Sequence, residues 1–229
     1  MPRKMLDKKI QQIQDEILLL GSMVEQAILD SVEALKKRDF KLSRRIHEDD
    51  LAINEKRFAI ENAILILMAT QQPFAHDLRL LSAMLIVVNE LERMGDYAKG
   101  IAKTNLRLGI TEIPMPIRDF EEMARLGISM LHRALSAFIN EDLNEAASIP
   151  LEDDLVDELF LKTYKSIVNS MIANPAIIDH ANLLMWVSHN LERLADRVTN
   201  ICERTIFTAT GELIEFDVSD DEDDEQLDI

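Results

Sequence analysis

Residues 91–96, LERMGD, return one hundred positions later as LERLAD, residues 191–196, with Leu, Glu, Arg and Asp in the same register. Around the first copy Leu80, Val87, Leu91, Met94, Ala98 and Ile101 fall on one side of a helical wheel; around the second, Val187, Leu191, Leu194, Val198, Ile201 and Thr205 do. A buried stripe on a long amphipathic helix has this spacing. Gly and Pro number six each in 229 residues. Strand-rich sandwiches and barrels take turn residues roughly every 8 to 12 positions, which so few punctuating residues cannot supply. The predicted fold is all-α.

Upstream of the first motif, Ile10, Ile13, Ile17, Leu20, Val24, Ala27, Ser31 and Ala34 alternate steps of three and four between Lys4 and Lys37, the mark of one more helix with a single apolar stripe. Asp39 reads as the N-cap of a second helix ending near Gln71, and Pro73 sets the break before a third that runs to about Gly109. GITEIPMP, residues 109–116, holds two prolines and a glycine, so helix cannot persist there. Beyond it the pattern repeats. MVEQA at 23–27 answers MLHRA at 130–134, Asp39 answers Asp142, Pro73 answers Pro175 and Asp77 answers Asp179. The expectation is two tandem three-helix bundles of long antiparallel helices, arisen by duplication, at residues 1–110 and 117–212. From Glu215 to Ile229 there are nine acids and no base, and residues 213–229 read as an extended, solvated acidic tail.

The formal net charge is −17, a field that repels nucleic-acid backbones and anionic lipid headgroups. Neither is an expected partner. Cys202 is the sole cysteine, so no internal disulfide forms and a cytoplasmic location is the default expectation. The longest apolar run, Ala63 to Ala69, falls short of the eighteen or so residues a membrane helix takes. The start, MPRKMLDKK, lacks the apolar heart of a signal peptide. Glycine-rich phosphate loops, nucleophile elbows and Cys–His pairs with catalytic spacing are missing from the sequence. Cys202 flanks the buried stripe and reads as a small hydrophobe. Trp186 is expected to pack between the repeats, the other reading being an exposed partner anchor.

What remains is carboxylates four apart: Glu92 with Asp96, Glu192 with Asp196, and Asp153 with Asp157. Such pairs share one helix face within about 6 Å, and their repulsion disfavours the helix unless water or a cation offsets it. On the wheel, Glu92 and Asp96 stand roughly 140 to 180° from the centre of the stripe, facing out, and the second copy behaves alike. Asp50 and Asp153 fall roughly 40 to 60° from it, near the core edge, where an acid costs more than in water. These residues form either a wet acidic face or an all-oxygen cation site suited to Mg, Mn or Ca. A bundled di-iron site does not fit: it needs Glu-x-x-His, whereas His189 precedes Glu192, and Asn89 holds the matching place in the first repeat. His47, three before Asp50, reads as a solvated histidine before it reads as a nitrogen ligand.

The paired LERxxD motifs, with GSMVEQA near the start, HEDDLAIN at 47–54 and QPFAHDLRL at 72–80, resemble the PhoU family of phosphate-uptake regulators over nearly the whole chain. The resemblance implies a non-catalytic regulator that contacts the ATP-binding subunit of the phosphate ABC transporter and the phosphate-sensing histidine kinase. It also implies a multinuclear iron or zinc cluster on Glu/Asp-x-x-x-Asp motifs. Here these fall on Glu92 and Asp96, Glu192 and Asp196, Asp153 and Asp157, and Asp50 with Asn54. Asn54 departs from the motif, and its neutral amide is a poorer ligand than a carboxylate. A homodimer is the default assembly. A metal-free helical adaptor and a metal-dependent hydrolase are the alternative readings; the hydrolase would need an open metal position, a base and a concave pocket.

Overall fold

The computed structural model describes residues 2–216. Helices α1 (Pro2–Lys37), α2 (Phe40–Gln71) and α3 (His76–Leu108) make the first unit, and α4 (Ile117–Asn140), α5 (Leu143–Ser148), α6 (Asp153–Ala173) and α7 (Ile178–Thr210) the second. No strand occurs among the described residues, and no helix among them is long and apolar enough to cross a membrane.

Local chemistry sets the boundaries. Asp39 accepts hydrogen bonds from the Lys41 and Leu42 amides at 3.0 and 2.9 Å, and Asp142 accepts from the Asn144 and Glu145 amides, both at 3.1 Å. Each satisfies amides that the first helical turn leaves without an internal partner. Residues 111–116 are irregular, as the two prolines dictate. The second unit departs from the expected three helices in one respect. Pro150 has no N–H to donate and restricts the residue before it, so the helix begun at Leu143 gives way to a 3-10 turn at Ile149–Glu152. Asp153 thereby becomes the first residue of α6, not a mid-helix position.

The two units share one core. α3 and α7 form the most extensive helix pair, and α1 also meets α4. Leu81, Met84, Val87, Leu91 and Met94 of α3 belong to the same buried cluster as Leu191, Leu194, Val198 and Ile201 of α7. Gly21 lies at the α1 to α4 approach, where a Cβ would meet the tip of the Leu135 side chain. Asn105, fully buried, donates to Ala34 O and Ser43 Oγ, both at 2.9 Å, tying the α1–α2 corner to α3. Cys202 is buried and its thiol is pushed up to about 12 by desolvation, in keeping with a small apolar role.

Gly211 ends α7 in the left-handed conformation, at φ 84°. The chain then turns back: the Phe216 amide donates to Glu203 Oε1 at 3.1 Å, and the Phe216 ring packs on the core. Residues 213–216, expected to start a solvated tail, therefore run back beside α7. The rest of that expectation, residues 217–229, lies outside the described residues.

Removing either cap tests how the units are built. Asp39→Ala and Asp142→Ala should each cost about 1 kcal/mol and lower the melting midpoint by about 2 to 4 °C. The double variant should lose the sum, because the two caps stand at distant places in the fold.

Candidate functional site

All the carboxylates singled out in the sequence lie where α2 meets α3 or where α6 meets α7. In the first unit Gly95, inside LERMGD, lets α2 come close: a Cβ at Gly95 would sit 3.2 Å from the Ile53 side chain. That approach brings Asp50, one turn before Ile53, beside Glu92 and Asp96. Asp50 is only 5% exposed, as its core-edge wheel position required. Lys99 of α3 donates to Asp50 Oδ2 at 2.6 Å and lies 3.9 Å from Asp96 Oδ1. The Asn54 amide donates to the same Asp50 oxygen and to Asp50 O, both at 3.1 Å. The Lys99 ammonium is held protonated above its usual range, chiefly by its bond to Asp50. Glu92 is raised by burial and by Asp96 beside it, with Arg57 and Arg93 pulling the other way.

In the second unit three carboxylates crowd Glu192, with Arg193 opposing them. Its side chain is 22% exposed, and its pKa is pushed up to about 7 by burial and then by Asp196, Asp157 and Asp153. Asp196, Asp157 and Asp153 thus stand near enough to act on its charge. Glu192 Oε2 is buried without a hydrogen bond, and His189 Nδ1 lies 3.2 Å from it. His189 itself is lowered by burial and by Arg193, so its ring stays neutral and able to act as a nitrogen donor. Asp153 and Asp154 sit in the first turn of α6, where the helix dipole favours negative charge.

The expectation that Glu92, Asp96, Glu192 and Asp196 face freely outward is corrected in degree. All four are half-buried, because α2 and α6 flank the face that bears them. Trp186 is corrected outright. It is 61% exposed, touching His189 edge-on at 6.2 Å between ring centres, and does not pack between the repeats. His47 is exposed. Spacing alone passed over Lys99 and Arg57, although Lys99 follows Asp96 by three residues and shares its helix face.

The two clusters differ as cation sites. The second sets three carboxylates near Glu192, whose Oε2 is buried without a hydrogen bond, with the His189 imidazole at its edge. In the first, the place between α2 and α3 is taken by the Lys99 ammonium. Among the described residues no three His, Cys, Asp or Glu side chains already converge as a metal-binding group. A cavity of about 410 Å³ opens between α1 and α2, with Asp49, Asp50 and Gly95 on its wall, so a concavity exists beside the first cluster. Asp50 alone of the predicted ligands lines it.

The duplication has a counterpart among known proteins. The PhoU domain matches residues 17–104 and again residues 120–205. The chain belongs to the PhoU family. It is 33% identical over 216 residues to the phosphate-specific transport system accessory protein PhoU homolog of Clostridium acetobutylicum, covering 94% of this chain and 99% of that protein. Over 204 residues it is 31% identical to the phosphate-specific transport system accessory protein PhoU of Escherichia coli, covering 89% and 85% of the two chains. The crystal structure of the phosphate transport system regulatory protein PhoU from Streptococcus pneumoniae superposes with a TM-score of 0.85 at 30% identity, over 92% of this chain and 99% of that one. PhoU from Pseudomonas aeruginosa gives 0.84 at 28% identity, over 90% and 99%. The all-α fold of two PhoU repeats read from the sequence is the fold found.

Glu192 carries a pH signature in metal-stripped protein. The folded chain keeps a proton up to about 7 that the unfolded chain releases near 4.5, so stability falls across that interval and the full penalty is present above it. Allowing for solvent screening of a partly exposed group, the penalty is about 1 to 3 kcal/mol. Glu192→Gln should therefore raise the melting midpoint by several degrees at about pH 8 and by almost nothing at about pH 4.5. Thermal melts in chelator across that range check it.

Proposed function

We propose that this chain is a non-catalytic regulator of phosphate transport that works by binding protein partners. The observation that carries the reading is the match of both repeats, across nearly the whole chain, to proteins named for phosphate transport. The partners we assign are the ATP-binding subunit of a phosphate ABC transporter and a phosphate-sensing histidine kinase, both met in the cytoplasm by a homodimer of this chain. Charge supports binding of protein over binding of the anion: the formal net charge is −17, and such a field opposes direct capture of phosphate. The regulator thus senses the state of the transporter rather than the ion it carries.

The second-repeat cluster is the cation site in this reading, with Asp153, Asp157, Glu192 and Asp196 as its ligands. Its oxygen donors suit Mg or Mn, and His189 beside Glu192 adds the nitrogen that would extend the choice to iron or zinc. A divalent ion there would offset the repulsion that drives up the Glu192 pKa and fix α6 against α7. The cation is structural in this account. Spare coordination for a water nucleophile and a base to activate it are not required.

Two measurements test the proposal. Affinity capture of the tagged chain should bring down the transporter ATPase and the kinase, in amounts that differ between phosphate-replete and phosphate-starved cells; capture of neither under both conditions would overturn it. Calorimetric titration with phosphate in chelator should give no heat of specific binding, and tight binding would defeat the idea of indirect sensing.

A further inference from the structure

The two repeats set the same carboxylate pair on equivalent helices and then surround it differently. One hundred residues after Lys99 stands Thr199, whose hydroxyl is buried with no hydrogen bond among the described residues. Counting from the matched caps Asp39 and Asp142, Asp50 answers Asp153, Asn54 answers Asp157 and Arg57 answers Phe160. Phe160 meets the His189 ring at 6.5 Å, where Arg57 instead brings positive charge to Glu92. Three differences therefore run in one direction. At these three positions the first repeat has one carboxylate fewer and two cationic side chains more, whereas Tyr97 answers Arg197, which turns across to Glu90 of α3.

The Lys99 contacts have the form of an ion site already filled. One ammonium bonds Asp50 on α2 at 2.6 Å and reaches to 3.9 Å from Asp96 on α3, joining carboxylates of two helices as a bound metal ion would. A divalent ion entering there would have to break the bond to Asp50 and expel a like charge. Asn54 adds to the closure, since its amide donates to the same Asp50 oxygen and ties up a lone pair that a metal would use.

We propose that Lys99 is a built-in counter-ion that replaces the metal in the first repeat, so that this chain takes a divalent cation at its second repeat alone. The inference rests on the cation reading of the second cluster given above. It adds that metal and lysine are alternative means of holding the same helix pair, and that the duplicated halves have diverged into a metal-dependent and a metal-independent one.

The test uses the full chain stripped with chelator and titrated with Mn²⁺, read by equilibrium dialysis and by melting midpoint. Asp196→Asn should remove the bound Mn²⁺, and Asp96→Asn should leave it unchanged. The decisive comparison is made in the Asp196→Asn background. There Mn²⁺ should leave the midpoint unmoved while Lys99 is present, and should raise it by several degrees once Lys99→Thr and Asn54→Asp are added, with Mn²⁺ now retained on dialysis. Loss of Mn²⁺ on Asp96→Asn alone, or a midpoint that rises with Mn²⁺ in Asp196→Asn, would overturn the proposal. So would a Lys99→Thr, Asn54→Asp protein that gains no Mn²⁺. If wild type binds no Mn²⁺ and the Lys99→Thr, Asn54→Asp protein does, the second-repeat reading falls and the role of Lys99 stands.

Discussion

The contact between α3 and α7 is the constraint on which the other helices depend. Each of these two helices gives one face to the other and a neighbouring face to the partners of its own unit, and a helix so committed has little surface left for polar residues. Acids on α3 and α7 consequently lie in the narrow angle between the shared seam and the flanking α2 or α6. They are neither core nor freely solvated, and that intermediate burial is what gives them chemistry: fully wet carboxylates four apart would merely repel through water, whereas half-buried ones need a specific counter-charge. The seam itself is tied by polar contacts on its rim, Arg197 to Glu90 at 3.4 Å and Arg193 over the Tyr97 ring at 5.6 Å.

Within that frame the repeats solve one electrostatic problem in two ways. Around Asp50 the chain supplies an ammonium and an amide of its own, and Asp50 stays buried and bonded. Around Glu192 it supplies more carboxylates, and Glu192 holds its proton to about 7. Duplication followed by divergence explains the combination of strict motif register and unequal surroundings, because the LERxxD residues sit on the central helices while the differences lie on α2, on α6 and one helical turn further along.

Much of this was legible in the sequence, and the boundary of legibility is physical. Helix ends were readable because caps and prolines act through neighbouring residues: Asp39, Asp142 and the 109–116 break all fell where the sequence put them. The fold class followed from the apolar stripes and the scarcity of Gly and Pro, and the internal repeat from the recurring LERxxD motif with its matched caps and prolines. The exception at Ile149–Glu152 turned on Pro150, which interrupts a helix whose apolar pattern runs on regardless. The carboxylate pairs and the core-edge place of Asp50 were readable, but the half-burial of Glu92, Asp96, Glu192 and Asp196 was not, since a wheel gives direction relative to one helix and is blind to a second helix alongside. For the same reason Lys99 was missed: its bond to Asp50 spans 49 positions in the chain. Trp186 failed on the assumption that a large aromatic seeks the interior.

The continuous core has a mechanical consequence. Residues 111–116 join the halves as a covalent link, yet the halves are held by apolar surface on α1, α3, α4 and α7 that the link does not create. A protease cut in that segment should leave two pieces clasped as one particle. The path from α2 to α6 then runs through the packed side chains of α3 and α7, not through the link.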